Sequence, residues 1–488
     1  MRIARVGRLM LVLALVTAAC TGPGSSDLPE RVPGVDHRSE GIPTTSSSIT
    51  AGDFLELNGW VWFYTTAGEI TFAGITDMLD ELHGGGIRVL GIYSPYDGDP
   101  DKWLGCAPLD FYDVAPQAGT LDDFEMLVSE AHDRGMKVVT YFVNIYIDRR
   151  SAFFRAAERQ YAQGDRSARQ VSAFRWSDDP TAPLPTPAAG PSDWQYSEVA
   201  RAYYWSLWGE AGLDHTLAGA RAELARVERF WLDIGVDGFM WDAAFPDPAF
   251  RELMVDVPLS HSSSDKWLTF ESTAAEESEP YYGFGLTSWF NFADEDTSND
   301  YSRIAVGSGD ADDLELALAY SDDARSVGRL THAWSPWGSP RYPDNERMLV
   351  QEAALLAGAG IGYGAPSYTA LRSWPEVARA NWHRLLAVVN ENPALLPSAS
   401  RRRVSAGDDP KSYAMIRTSR DGSQTALLVY NFREEPTTVP VDLEGSGVRV
   451  GQIPLDLLAD DPAPEISDPI HRVSLPPYGF AFLQVETA

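Results

Sequence analysis

From about residue 55 to 390 the chain alternates short apolar runs with longer segments of helical period. NGWVWFY (58–64), IRVLGIY (87–93), MKVVTYFV (136–143), GVDGFMW (235–241) and KWLTFE (266–271) have the length and composition of buried strands. GLTSWFNF (285–292), VGRLTHA (327–333) and the weaker AGIGYGAP (359–366) extend the series. TFAGITDMLDELHGG, GTLDDFEMLVSEAHDRG and LAGARAELARVERFWLDIG lie between them as amphipathic helices. Strand then helix, repeated about eight times, requires parallel pairing and predicts a (β/α)8 TIM barrel. A doubly wound open sheet is the alternative, but no GxGxxG loop follows the first strand.

Two departures from the repeat define the remaining organisation. Residues 144–212 contain Pro- and Gly-rich stretches such as DDPTAPLPTPAAGPSDW without clear alternation, and predict an insertion after strand 3. Beyond about 395, SYAMIRT, TALLVYNF and YGFAFLQV predict a C-terminal antiparallel β domain over 395–488. The barrel, with its insertion, is then expected over 51–394.

Acids stand at the ends of two of these runs. GVDGFMWDAA ends its apolar stretch at Asp242, and KWLTFE ends at Glu271. In a barrel of this kind the loops after the strands build the site. Two carboxylates there can flank one bond, as acid-assisted glycoside cleavage requires. The plainer role for each is to cap the following helix.

Net charge is −31, from 39 Lys and Arg against 70 Asp and Glu, which argues against nucleic acid or an anionic membrane surface as partner. At the N-terminus Arg2, Arg5 and Arg8 precede the apolar run Leu9–Val16, too short to span a bilayer. Thr17-Ala18-Ala19-Cys20 follows, then TGPGSSD. This resembles a bacterial lipoprotein signal: residues 1–19 are removed, Cys20 is lipidated and 20–50 form a tether. The expected location is the outer side of the cell envelope, with membrane association only through the lipid, or secretion if Cys20 is not modified. Cys106 is the only other cysteine, so a lipidated Cys20 leaves no intramolecular disulfide.

With these pieces in place the chain resembles the α-amylase superfamily, glycoside hydrolase family 13. LDFYDVAPQAGTLDDFEMLVSEAHDRGMKVV (109–139) is similar to the family's second strand–loop–helix, FWLDIGVDGF (230–239) to the approach to its nucleophile, and the insertion and terminal domain to its domains B and C. The resemblance implies Asp242 as nucleophile and Glu271 as general acid/base of a retaining mechanism, with carboxyl groups about 5–5.5 Å apart. It implies α-linked glucosides or oligosaccharides as substrate, by hydrolysis or transglycosylation. Expected substrate contacts are Asp110, Tyr141, Trp241, His332 and Trp334.

The chain also departs from that pattern. Met240 stands where the family has an Arg two residues before the nucleophile, and Ala333 where its third acid follows a His. Tyr141 replaces a strand-three Asp, Ile145-Tyr146 replaces an Asn-His pair, and Gly105-Cys106 replaces a Gly-Tyr. Two expectations follow: a pocket rebuilt around the retained acids, or an inactive carbohydrate-binding or scaffold lipoprotein. No cofactor or metal is expected. Asp294-Glu295-Asp296 offers oxygen ligands suited to calcium, but lacks the spacing of a calcium loop and reads as a solvated acidic turn.

Overall fold

A computed structural model describes residues 54, 56–185, 191–242, 253, 257–261, 266–272, 287–289, 311–312, 314–315, 318, 322, 332–334 and 362–487, with the backbone alone for 259, 269–272, 287–289, 332–334, 362–367, 370 and 378. The lipoprotein-type signal, Cys20, the tether and the Asp294-Glu295-Asp296 run lie outside the described residues.

Eight strands form one closed barrel. In chain order they are β1 (Trp60–Phe63), β2 (Val89–Ile92), β3 (Lys137–Phe142), β4 (Gly238–Trp241), β5 (Trp267–Ser272), β6 (Thr287–Trp289), β7 (His332–Trp334) and β8 (Gly362–Ser367). Each pairs in parallel with the next, and β8 pairs with β1. β1, β2 and β4 are buried at every position, as strands covered on both faces must be.

The register sorts side chains into layers. Trp62, Gly91, Val139, Gly238 and Trp267 lie side by side on successive or matched positions of β1 to β5. Gly91 leaves room for an indole: a Cβ there would come within 2.3 Å of Trp62 Cδ2. Trp60 meets Trp267 with ring centroids 4.7 Å apart, so large aromatics close the barrel interior where glycines make space.

Helices cover the outside. α1 (Leu121–Asp133) starts with a reciprocal cap between Thr120 and Asp123 and buries Phe124, Leu127, Val128 and Ala131, one face of a 3.6-residue period. α2 (Ala218–Ile234) ends at Gly235, whose φ of 111° is the left-handed turn that lets the chain leave the helix and enter β4. The segment 71–85, which reads as one helix, forms two short ones, Phe72–Thr76 and Leu79–Gly84.

Between β3 and α2 the chain builds a separate antiparallel sheet from Tyr146–Ile147, Trp176–Ser177, Ser192–Ser197, Ala202–Leu207 and Glu210–Gly212. After the barrel, β9 (Ser400–Val404), β10 (Ser412–Thr418), β11 (Thr425–Asn431) and β14 (Phe480–Val485) form an antiparallel sheet, and β12 (Thr437–Asp442) pairs with β13 (Ile470–Leu475). β10 and β11 are buried on both faces. Tyr413, Met415, Leu428 and Tyr430 join the barrel-side core, while Ala414, Ile416, Leu427 and Val429 form a second core with Val439 and Val441. The period-two alternation thus joins the terminal sheet to the barrel by one face and completes its own core with the other.

Candidate active site

The carboxylates are positioned by strand register. Trp241 on β4 is matched to Phe270 on β5, so the next residue on each strand is an acid: Asp242 and Glu271. Asp242 still belongs to the strand layer, because its backbone N–H donates to the Phe142 carbonyl of β3 at 3.0 Å. Glu271 is itself matched to Thr287 of β6. Both acids therefore sit at the C-terminal ends of neighbouring barrel strands, the end from which barrel sites are built.

Asp242 is partly buried, and its carboxylate accepts a hydrogen bond from the Tyr141 hydroxyl, Oη to Oδ1 at 2.6 Å. Burial disfavours the charged carboxylate and pushes its pKa up to about 6, while the Tyr141 hydrogen bond favours the charged form and opposes that rise. Tyr141 is held in turn. Its ring stacks on Tyr93 at 4.4 Å and 27°, Tyr93 packs on Tyr64 at 4.7 Å, and the Tyr96 hydroxyl donates to the Tyr141 carbonyl at 3.3 Å. Tyr64 and Tyr93 directly follow β1 and β2, Tyr141 lies in β3 and Tyr96 opens the short strand Tyr96–Gly98, so residues from around three barrel strands fix the hydroxyl that meets Asp242.

Met240, where a cation would stand in the resembled family, is fully buried and matched to Tyr141 on β3. The register explains the exchange. Residues 240 and 242 share a face of β4, and Tyr141 occupies that face on the neighbouring strand. Its ring spans one residue along the barrel, so its hydroxyl supplies the hydrogen bond to the Asp242 carboxylate.

The other expected contacts separate. Tyr141 contacts Asp242 rather than standing open to a ligand. Trp241 is corrected to a packing residue: it is fully buried on the opposite face of β4, with its ring 4.7 Å from Phe142 and within 6.4 Å of Phe239. Alternation along a strand demands this, since the neighbour of an inward acid faces the helices. Asp110 is exposed on the strand Pro108–Val114, where its Oδ1 accepts from the Tyr112 backbone N–H at 2.9 Å. Burial raises the pKa of nearby Asp97, and the charges of Asp113 and Asp110 add to that rise. His332 and Trp334 lie on β7, with His332 matched to Thr287 and Trp334 to Trp289. Cys106 is buried. No group of three or more His, Cys, Asp or Glu suited to a metal occurs among the described residues.

The Tyr64–Tyr93–Tyr141 stack was not singled out in the sequence. The available signal was that Tyr64 and Tyr93 each directly follow a barrel strand, as Asp242 does.

Residues 56–275 match the family model for the alpha amylase catalytic domain, and residues 402–482 match that for the maltogenic amylase C-terminal domain. The chain is similar to the trehalose synthase/amylase of Mycolicibacterium smegmatis, 28% identical over 209 residues that cover 41% of this chain and 34% of that protein. It is similar also to the trehalose-6-phosphate hydrolase of Escherichia coli, 30% identical over 194 residues that cover 38% and 34% of the two chains. The chain thus spans about a third of the length of these relatives. Among solved structures, the alpha-amylase from Geobacillus thermoleovorans complexed with acarbose superposes with a TM-score of 0.68 at 13% identity, covering 89% of this chain and 99% of that one. At that identity the likeness is one of fold.

Proposed function

We propose that this chain, with its alpha amylase-type catalytic domain, is a retaining enzyme of α-linked glucosides, hydrolysing them or transferring their glycosyl unit. The observation that carries the reading is the register that makes Asp242 and Glu271 consecutive neighbours across β4 and β5. Adjacent strands lie about 4.8 Å apart, which suits the roughly 5–5.5 Å carboxyl separation of retaining enzymes better than the wider gap of inverting ones.

In this reading Asp242 attacks the anomeric carbon and forms a covalent glycosyl ester, while Glu271 protonates the departing oxygen. Glu271 then deprotonates the water or sugar hydroxyl that resolves the ester, and Asp242 is released. Tyr141 acts through Asp242 as a positioning residue. Its hydroxyl orients the attacking carboxylate and keeps more of it ionised than burial alone would allow. A neutral donor thus takes the position-fixing part of the role that the family's Arg performs. His332 and Trp334, at the C-terminal end of β7, belong to the substrate pocket in the same reading. An oligosaccharide is the partner, and the protein acts outside the cytoplasmic membrane, tethered through lipid on Cys20.

The test uses the domain from about residue 40 onward, alongside Asp242→Asn. Both are incubated with α-gluco-oligosaccharides, trehalose, sucrose and aryl α-glucosides, and products are followed by chromatography. Turnover by the parent and none by the variant is the expected result. Failure of the parent on every substrate would overturn the assignment to α-glucosides.

A further inference from the structure

Two bulky aromatic residues near the acid-bearing end of the barrel adopt a backbone conformation that such residues rarely take. Trp103 has φ 45° and Leu104 φ 59°, in the loop between β2 and the strand Pro108–Val114. Trp208 has φ 56° and is followed by Gly209 at φ 82°. Leu207 and Glu210 are paired across the antiparallel strands that flank them, so Trp208-Gly209 is a two-residue hairpin turn. A turn with positive φ at both central residues favours Asn-Gly, and a tryptophan in the first place is strained there.

The two tryptophans meet. Their ring centroids are 6.4 Å apart at 69°, and Trp103 also packs on buried Tyr146 at 5.8 Å. Both indoles are partly exposed. The residues beside them are tied together by buried acids: Lys102 pairs with Glu210 and, at 3.0 Å, with Asp148, while Glu210 also accepts from the Arg149 backbone N–H at 3.0 Å. Asp148 and Glu210 are almost fully buried. One ionic knot thus holds the residue before Trp103 and the second residue after Trp208, from two segments about a hundred residues apart. Strain of this kind persists where the surroundings over-determine it, and it concentrates at ligand clamps.

We infer that Trp103 and Trp208 form a rigid aromatic shelf that stacks a pyranose ring of an α-linked gluco-oligosaccharide beyond the bond being cleaved, an inference that rests on the proposed activity for its ligand class. Tyr146 is its floor and Lys102, Asp148 and Glu210 its frame. The faces of pyranose rings are apolar and pack on indoles, and a shelf already ordered before binding loses little freedom when a sugar arrives.

The turn itself supplies the test. Trp208→Asn installs the pair that the turn prefers, so it keeps or raises Tm while removing the ring. Maltohexaose binding is measured by calorimetry on Asp242→Asn protein, with and without Trp208→Asn and, separately, Trp208→Tyr. The expected result is a Kd for maltohexaose weakened about tenfold by Trp208→Asn at unchanged or higher Tm, with most of the affinity kept by Trp208→Tyr. Equal affinity of parent and Trp208→Asn, or no maltohexaose binding by the parent, overturns the shelf. Loss of affinity together with a fall in Tm, not restored by Trp208→Tyr, overturns it as well and assigns the tryptophans to folding. Turnover of an aryl α-glucoside by the parent is scored separately, so the activity can stand while the shelf falls, or the reverse.

Discussion

Tyr141→Phe removes one hydroxyl and leaves the ring that stacks on Tyr93. The perturbation therefore removes the 2.6 Å hydrogen bond on Asp242 while keeping the aromatic packing. A hydrogen bond to a charged group contributes about 1.5–3 kcal/mol, and each pH unit of pKa is 1.36 kcal/mol, so the Asp242 pKa should rise by about one to two pH units. Asp242 is only partly buried and water can replace part of the lost bond, which favours the lower end of that range. With the parent value at about 6, the acid limb of kcat/KM moves from near 6 to about 7 or somewhat above. At pH 6.5 the ionised fraction then falls from about three quarters to about a quarter or less, so activity drops at least about threefold from protonation alone. The loss of aim on the carboxylate multiplies this. The sign is fixed by the chemistry: a nucleophile must be ionised, and losing a donor to its charged form disfavours ionisation. The assay is a kcat/KM profile from pH 4.5 to 9.5 on an aryl α-glucoside for parent and variant. Partial recovery of the variant at high pH is expected. An unmoved acid limb would refute the role assigned to Tyr141.

Three further outcomes follow from the same structure. Glu228 on α2 is fully buried, neither carboxylate oxygen has a hydrogen-bond partner among the described residues, and burial raises its pKa well above 4.5. Its contribution to stability is fully present below about 4.5 and is lost as pH rises towards the folded value, so Glu228→Met should be more stable than the parent by about 1–3 kcal/mol at pH 8, with the gap narrowing at pH 5, measured by chemical denaturation. Arg401 of β9 is 4% exposed and pairs with Glu315 and Asp322 at 2.6 Å each. Those partners are each about a third exposed, so Arg401→Ala should cost about 2–3 kcal/mol, below the range for a fully buried pair, and thermal unfolding reads it. Gly91→Ala places a methyl against the Trp62 ring and should lower Tm by several degrees, since overpacking costs about 1–3 kcal/mol.

The barrel was legible because its strands are buried on both faces and so appear as continuous apolar runs. The predicted run 136–143 and the observed β3 at Lys137–Phe142 differ by one residue at each end. The acids at the ends of GVDGFMWD and KWLTFE were legible for the same reason: the charge interrupts a hydrophobic stretch. The sheet within 144–212 was not, because its strands mix tyrosine, tryptophan, serine and aspartate in short pieces between proline-rich turns, which blurs the two-residue period. The Tyr141–Asp242 hydrogen bond joins residues 101 apart and depends on the register of β3 against β4, which no local pattern encodes. Trp241 could be misjudged because it directly precedes Asp242 in sequence. Only the alternation along β4 places it on the face opposite Asp242.

The central claim is that Asp242 forms a covalent bond to the sugar, and trapping that bond tests it most directly. In Glu271→Gln protein the acid/base needed to resolve the ester is missing, while α-glucosyl fluoride carries a leaving group that departs with little acid assistance. Rapid quenching, peptide mapping and mass spectrometry should find one hexosyl addition on the peptide containing Asp242, and none when Asp242→Asn is combined with it. Release of fluoride with Asp242 unmodified, or a hexosyl group on any other carboxylate, would contradict the account.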